Sequence, residues 1–279
     1  MPDLALSTWS LHRALGPTYP GLDPHSGDRP ANRPYGAGAI LLEDVPAVAS
    51  GLGLQAVEIC HFHLARTDRA YLDDIRARLD AAGIRLLTLL VDEGDVTAPD
   101  PEARRRDREH IRAWIDIAAT LGAERVRVVA GESAPGAEAV RWSTDALREL
   151  ADYGRTRSVA VVTENWRPLS LDVRALTAIL DGADGTVGLC ADFGNWSAPR
   201  KYDDLRAVLP RASSIHAKAE FSAPGAMDEA DFGRCLDLAR AADFDGTYVL
   251  IFDGPGDEVS SLRQMAEFVQ PYLARHATS

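Results

Sequence analysis

From residue 54 onward the chain alternates, without a break, between short apolar runs and longer stretches with helical spacing. Apolar runs at 55–59, 85–91, 125–129, 159–162, 186–190, 213–215 and 247–252 are each followed by a helical pattern, at 71–82, 101–121, 144–156, 171–180, 203–209, 229–242 and 260–273. A run at 4–7 and a helical stretch at 42–50 add a first unit, which makes eight. Short strands, mostly apolar on both faces and separated by helices, mark a buried parallel sheet. Eight units in 279 residues predict one α/β domain over residues 1–279, a closed (β/α)8 barrel. The competing architecture is a doubly wound open sheet. It normally carries a Gly-rich turn after its first strand, and Leu6-Ser-Thr-Trp-Ser10 is not one.

One segment breaks the rhythm. Residues 14–39 hold Pro17, Pro20, Pro24, Pro30 and Pro34 and show no period. In a barrel this loop follows the first strand and lies on the catalytic rim, as a lid or substrate wall or as a solvated insertion.

Charge and composition narrow the partners. The formal net charge is −12, so a nucleic acid meets no global attraction, and none is expected as a partner. Cys60, Cys190 and Cys235 are far apart and sit in apolar runs, which reads as free buried thiols in a reducing cytosol. The N-terminus has neither a basic stretch nor a long apolar core, and no segment reaches the length of a membrane span. The expectation is a cytoplasmic protein without membrane contact.

Catalytic groups in such a barrel come from the C-terminal ends of the strands. Strand one leads to Trp9, which suits stacking on a sugar ring or plain rim packing. Strand two leads to Glu58, His61 and His63. An inward Glu58 is costly unless paired or ligating. His61 and His63, two apart, face the same way in an extended chain. Asp92-Glu-Gly-Asp95 after strand three reads as solvated or capping acids, and Glu132 after strand four as a partner for a substrate hydroxyl. Strands five to eight bring Glu164, Asp192 with Asn195 close behind, His216 with Lys218 in the same parity, and Asp253.

Carboxylates and one imidazole at consecutive strand ends suit a divalent cation, Mn, Mg, Co or Zn, among which this donor set does not choose. Such an ion polarises a sugar carbonyl and its neighbouring hydroxyl. A nearby carboxylate can then carry a proton between carbons, and Lys218 can steady the enediolate oxygen.

These residues, with Ile117-Ala-Ala-Thr-Leu-Gly-Ala-Glu-Arg-Val-Arg-Val-Val129, Val162-Thr-Glu-Asn165, Asp192-Phe-Gly-Asn195, His216-Ala-Lys218 and Phe244-Asp-Gly-Thr-Tyr-Val-Leu250, resemble the xylose isomerase-like superfamily of TIM barrels across essentially the whole chain. The resemblance implies that Glu164, Asp192 and His216 are metal ligands. It also implies a fourth ligand, a strand-eight Glu that often doubles as a base. Ile251 stands at that position, with Asp253 about 7 Å further along the strand. A possible homodimer is a further implication. The family's DNA-repair branch needs a His-rich zinc site, which is absent after Asp192 and His216.

The expected function is a metal-dependent sugar or polyol isomerase or epimerase with Glu164, Lys218 and His61 as catalytic groups. Trp9, Glu58, Glu132, Asn195 and Asp253 would line the substrate. Ile251 keeps two alternatives open: a keto-sugar or keto-cyclitol dehydratase, with His61, Glu132 and Lys218 as candidate acids, and a sugar-binding barrel without catalysis.

Overall fold

The computed structural model describes residues 2–21 and 30–273. Residues 22–29 of the Pro-rich loop lie outside that set. Among the described residues there are ten strands: β1 (Asp3–Ser7), β2 (Ala56–Cys60), β3 (Arg85–Val91), β4 (Arg125–Val128), β5 (Ala160–Glu164), β6 (Gly188–Asp192), β7 (Ala212–Lys218), β8 (Phe221–Ala223), β9 (Ala226–Met227) and β10 (Thr247–Ile251). Strands β8 and β9 form a small antiparallel hairpin. The other eight close into a parallel barrel in the order β1-β10-β7-β6-β5-β4-β3-β2. Closure runs through β1, which pairs with β10 (Leu4 opposite Tyr248) and with β2 (Ser7 opposite Glu58). The eight strand–helix units read from the sequence are therefore a (β/α)8 barrel, and the hairpin is an addition to them.

Helix boundaries follow local chemistry. The helix Pro101–Leu121 begins where the Asp100 carboxylate accepts from Glu102 and Ala103 N–H, with Pro101 in the first turn. It ends at Gly122, whose φ of 78° is the left-handed cap that glycine supplies cheaply. The helix expected from residue 144 instead spans Ala137–Arg155.

Two hydrophobic layers enclose the strands. Ala5, Ala56, Leu87, Val249 and Ile251 pack inside the barrel. A larger layer between strands and helices holds Trp114, Phe193 and Phe232, all fully buried.

Polar residues expected just beyond the strands lie within them. β5 runs to Glu164 and β6 to Asp192, and the parallel register reaches both, with Glu164 opposite Cys190 and Asp192 opposite His216. Backbone pairing does not depend on side-chain polarity, so the apolar run ends before the strand does. These polar side chains are thereby mounted on the sheet rather than on loops.

Candidate metal-binding active site

Glu164, Asp192 and His216 end or nearly end three adjacent strands and converge at the top of the barrel. Each offers a ligand atom, and these atoms all lie within 4.8 Å of one another. All three side chains are buried, at 4–5 % exposure. His216 Nδ1 faces Glu164 Oε1 at 3.4 Å and Asp192 Oδ2 at 3.5 Å.

Neighbouring groups hold each of the three. His216 Nε2 lies 2.8 Å from Glu58 Oε2. A carboxylate can only accept, so Nε2 carries the hydrogen and Nδ1 is aimed at the two acids. Gly194 and Asn195 N–H donate to Asp192 Oδ1 at 2.6 and 2.8 Å, which leaves Oδ2 for the site. Asn165 ties β5 to β6: its Nδ2 donates to Asp192 O and its Oδ1 accepts from Asp192 N–H. Asn195 Nδ2 donates to Glu164 Oε1 at 2.9 Å.

Arg127, on β4, was not singled out from the sequence. It is buried and stands behind Glu164, with Nε 3.1 Å from Glu164 Oε2, a charge contact without hydrogen-bond alignment. Its Nη2 donates to Asp92 Oδ1 at 2.6 Å, and its guanidinium lies 4.8 Å from the Trp166 ring centre. The signal was a charge within an apolar strand, Val126-Arg127-Val128, where every side chain is covered. Asp92 is correspondingly no solvated acid but Arg127's partner.

The electrostatics follow from this packing. Burial disfavours charge on Glu164, but His216 and Arg127 outweigh it and hold the carboxyl below its usual range. Burial likewise opposes the His216 imidazolium, while Cys190, Glu164 and Glu58 around it lift its pKa well above the ordinary value. Burial pushes the Cys60 thiol up to about 12, so it stays neutral.

A cavity of about 160 Å³ opens over the three groups. Trp9, Asn195, Lys218, Ile251 and Asp253 line it together with Arg127. Lys218 Nζ donates to Asp253 Oδ2 at 2.7 Å. A Cβ on residue 194 would sit 2.5 Å from Lys218 Cδ, so glycine there leaves room for the lysine to reach across.

The other sequence candidates sit elsewhere. Glu58 lies beneath His216 rather than on the cavity wall. Glu132 is half-exposed and meets Arg167 at 3.2 Å. His61 is not a lining residue either: its Nε2 is 3.3 Å from Glu93 Oε1 and its ring edges against Trp114. The extended-chain parity expected for His61 and His63 fails because His61–His63 is a 3-10 turn. That turn sends His61 outward toward the helix Pro101–Leu121 and sets His63 Nδ1 2.8 Å from Thr8 Oγ1.

The donor set fits a divalent cation. It offers two carboxylate oxygens and one imidazole nitrogen, all buried, with the far imidazole nitrogen on a carboxylate, an arrangement that recurs around protein metal ions.

The sequence matches the family described as xylose isomerase-like TIM barrel over residues 46–271. No curated protein matches it significantly. Among solved structures, an L-ribulose 3-epimerase superposes with a TM-score of 0.73 at 15 % identity, covering 98 % of this chain and 95 % of that one. A xylose isomerase-like TIM barrel protein from Mycobacterium smegmatis in complex with magnesium gives 0.65 at 16 %, covering 98 % of each chain. The probable 3-DHS dehydratase from Bacillus anthracis gives 0.67 at 13 %, covering 96 % and 98 %. At these identities the likeness is one of fold.

Proposed function

The chain belongs to the xylose isomerase-like TIM-barrel family, and from that premise we propose that it is a metal-dependent sugar or polyol isomerase or epimerase acting by proton transfer next to a carbonyl. The observation that carries this reading is the convergence of Glu164, Asp192 and His216 within 4.8 Å at the barrel mouth. These three residues would hold the cation. When bound, a divalent ion there polarises a carbonyl and the hydroxyl beside it and acidifies the proton on the carbon between them.

The rest of the chemistry belongs to the side chains. Glu164 serves as ligand first, because the charges that keep it ionised also make it a weak base. Burial works against the Lys218 ammonium, but Asp253 more than offsets it, so the lysine stays charged and can steady an enediolate oxygen. Asp253 beside it, through the oxygen that Lys218 does not take, accepts the carbon-bound proton in this reading. Trp9 and Trp166 line the cavity wall, where they would limit water and face the substrate. His61, off the cavity, is given no step.

Ile251 favours a second reading. It lines the cavity at the position where the resemblance implies a second acid–base carboxylate. A 3-epimerisation that works from both faces of a carbon needs two such groups. A dehydration needs one base and one acid, which Asp253 and Lys218 can supply, and a dehydratase is among the proteins of like fold.

The test is solvent exchange. The Mn²⁺-loaded protein is incubated with ketoses and keto-cyclitols in deuterated water. An isomerase or epimerase washes deuterium into recovered substrate or product, and a dehydratase releases water to give an unsaturated ketone. Neither outcome across the panel would refute both readings.

A further inference from the structure

The cavity wall is divided between two contiguous halves of the barrel. Strands β4 to β7 are neighbours in the sheet and contribute Arg127, Glu164, Asp192, His216 and Lys218. Strands β10, β1, β2 and β3 are also neighbours, and they contribute Ile251, Ser7, Cys60 and Leu90.

The second half has little hydrogen bonding to offer. Ser7 Oγ accepts from Trp9 N–H at 3.2 Å and lies 4.0 Å from Cys60 Sγ. The Cys60 thiol is neutral and a weak hydrogen-bonding group. Asp92, which follows β3, is engaged by Arg127, and Asp253, which follows β10, is engaged by Lys218 and, on the proposed function, serves the reacting end of the substrate rather than its far side. Ile251 packs with Ala5, Ala56, Leu87 and Val249 inside the barrel, so it cannot swing away to expose a polar group behind it.

We propose that the site selects a hydroxy-carbonyl compound whose far side is a hydrocarbon face, such as a deoxy sugar or a carbocyclic ketone, over the corresponding fully hydroxylated sugar. This inference rests on the proposed function for the reacting end and adds the chemistry of the other end. A hydroxyl pressed against Ile251 and Leu90 loses its water partners and gains none, and the Cys60 thiol beside them offers only a weak one. A methyl or methylene there gains apolar contact. An apolar pocket of this kind discriminates by about tenfold or more for each such group.

The experiment measures binding rather than turnover. Calorimetry on the Mn²⁺-loaded full chain compares D-fructose with 6-deoxy-D-fructose, and a fully hydroxylated inosose with 2-hydroxycyclohexanone. The expected result is tighter binding of the less hydroxylated partner in both pairs, by about tenfold or more. Cys60→Ser, which supplies a hydroxyl at little change in size, and Ile251→Thr, which supplies one in place of the ethyl arm, should each narrow the ratio. Thermal melting of both variants establishes that they fold, and the near-isosteric Cys60→Ser serves if Ile251→Thr does not. Mn²⁺ titration of the same sample separates the two claims. Without Mn²⁺ uptake, the proposed function fails. With Mn²⁺ bound, equal affinities, a preference for the hydroxylated partner or no binding of either pair overturns the substrate class.

Discussion

His216 Nε2 donates to Glu58 Oε2 at 2.8 Å across 158 residues of sequence, and both side chains are buried. The bond fixes which imidazole nitrogen faces Glu164 and Asp192, so a residue without contact to the cavity determines whether the three groups can act together. Glu58→Ala should therefore weaken Mn²⁺ binding about 10–100-fold, although no ligand is removed. Calorimetric titration measures this, with Glu58→Gln retaining part of the affinity because its amide oxygen still accepts. Unchanged affinity in Glu58→Ala would contradict the orienting role.

Arg127 is the cation shared by Asp92 and Glu164 in a buried setting. Burial acts against its charge, and the two carboxylates more than compensate, so its proton is held more tightly than usual. Arg127→Met strands both carboxylates and should cost about 3–5 kcal/mol of stability, readable by urea denaturation. A loss below about 1 kcal/mol would show that the two acids find solvent or each other without penalty.

Much of this was legible in the sequence. Glu164, Asp192 and His216 stand out because each polar residue comes at or near the end of a short apolar run, and a barrel brings such ends to one rim. Glu58 was legible as a buried carboxylate in need of a partner, but the partner lies on a strand far away in the chain. Arg127 and Asp92 were not legible as a pair. Asp92 follows β3 and Arg127 lies on β4; a barrel sets those strands side by side, but the pattern does not say which side chains meet across them. His61 was misplaced because parity holds for extended chain and the chain turns at that residue.

His63 gives the fold a dependence on pH. Burial, with His12 and His61 adding to it, pushes its pKa down to about 3 from 6.5. The unfolded chain takes up a proton below about pH 6.5, whereas the folded chain does so only near 3. Stability due to this group is therefore complete above about 6.5 and is lost progressively as the pH falls toward 3, by on the order of a few kcal/mol. Denaturation at a series of pH values should show this slope, and His63→Gln should flatten it. An identical slope in the variant would remove His63 as its source.

On the proposed function, Asp253 and Lys218 separate proton transfer from metal holding. Asp253→Asn should slow deuterium wash-in by about 10²–10⁴-fold. It should leave Mn²⁺ affinity within a few-fold, because Asp253 contacts Lys218 and none of the three proposed ligands. Loss of metal binding in step with loss of exchange would place Asp253 among the ligands instead.

The most direct measurement is Mn²⁺ titration of the unsubstituted protein beside Asp192→Ala and His216→Ala. The account predicts stoichiometric binding to the unsubstituted chain and a loss of about tenfold or more in each variant, with melting temperature monitored to confirm folding. No binding by the unsubstituted chain, or equal binding by all three proteins, would contradict the assignment of Glu164, Asp192 and His216 as a metal site.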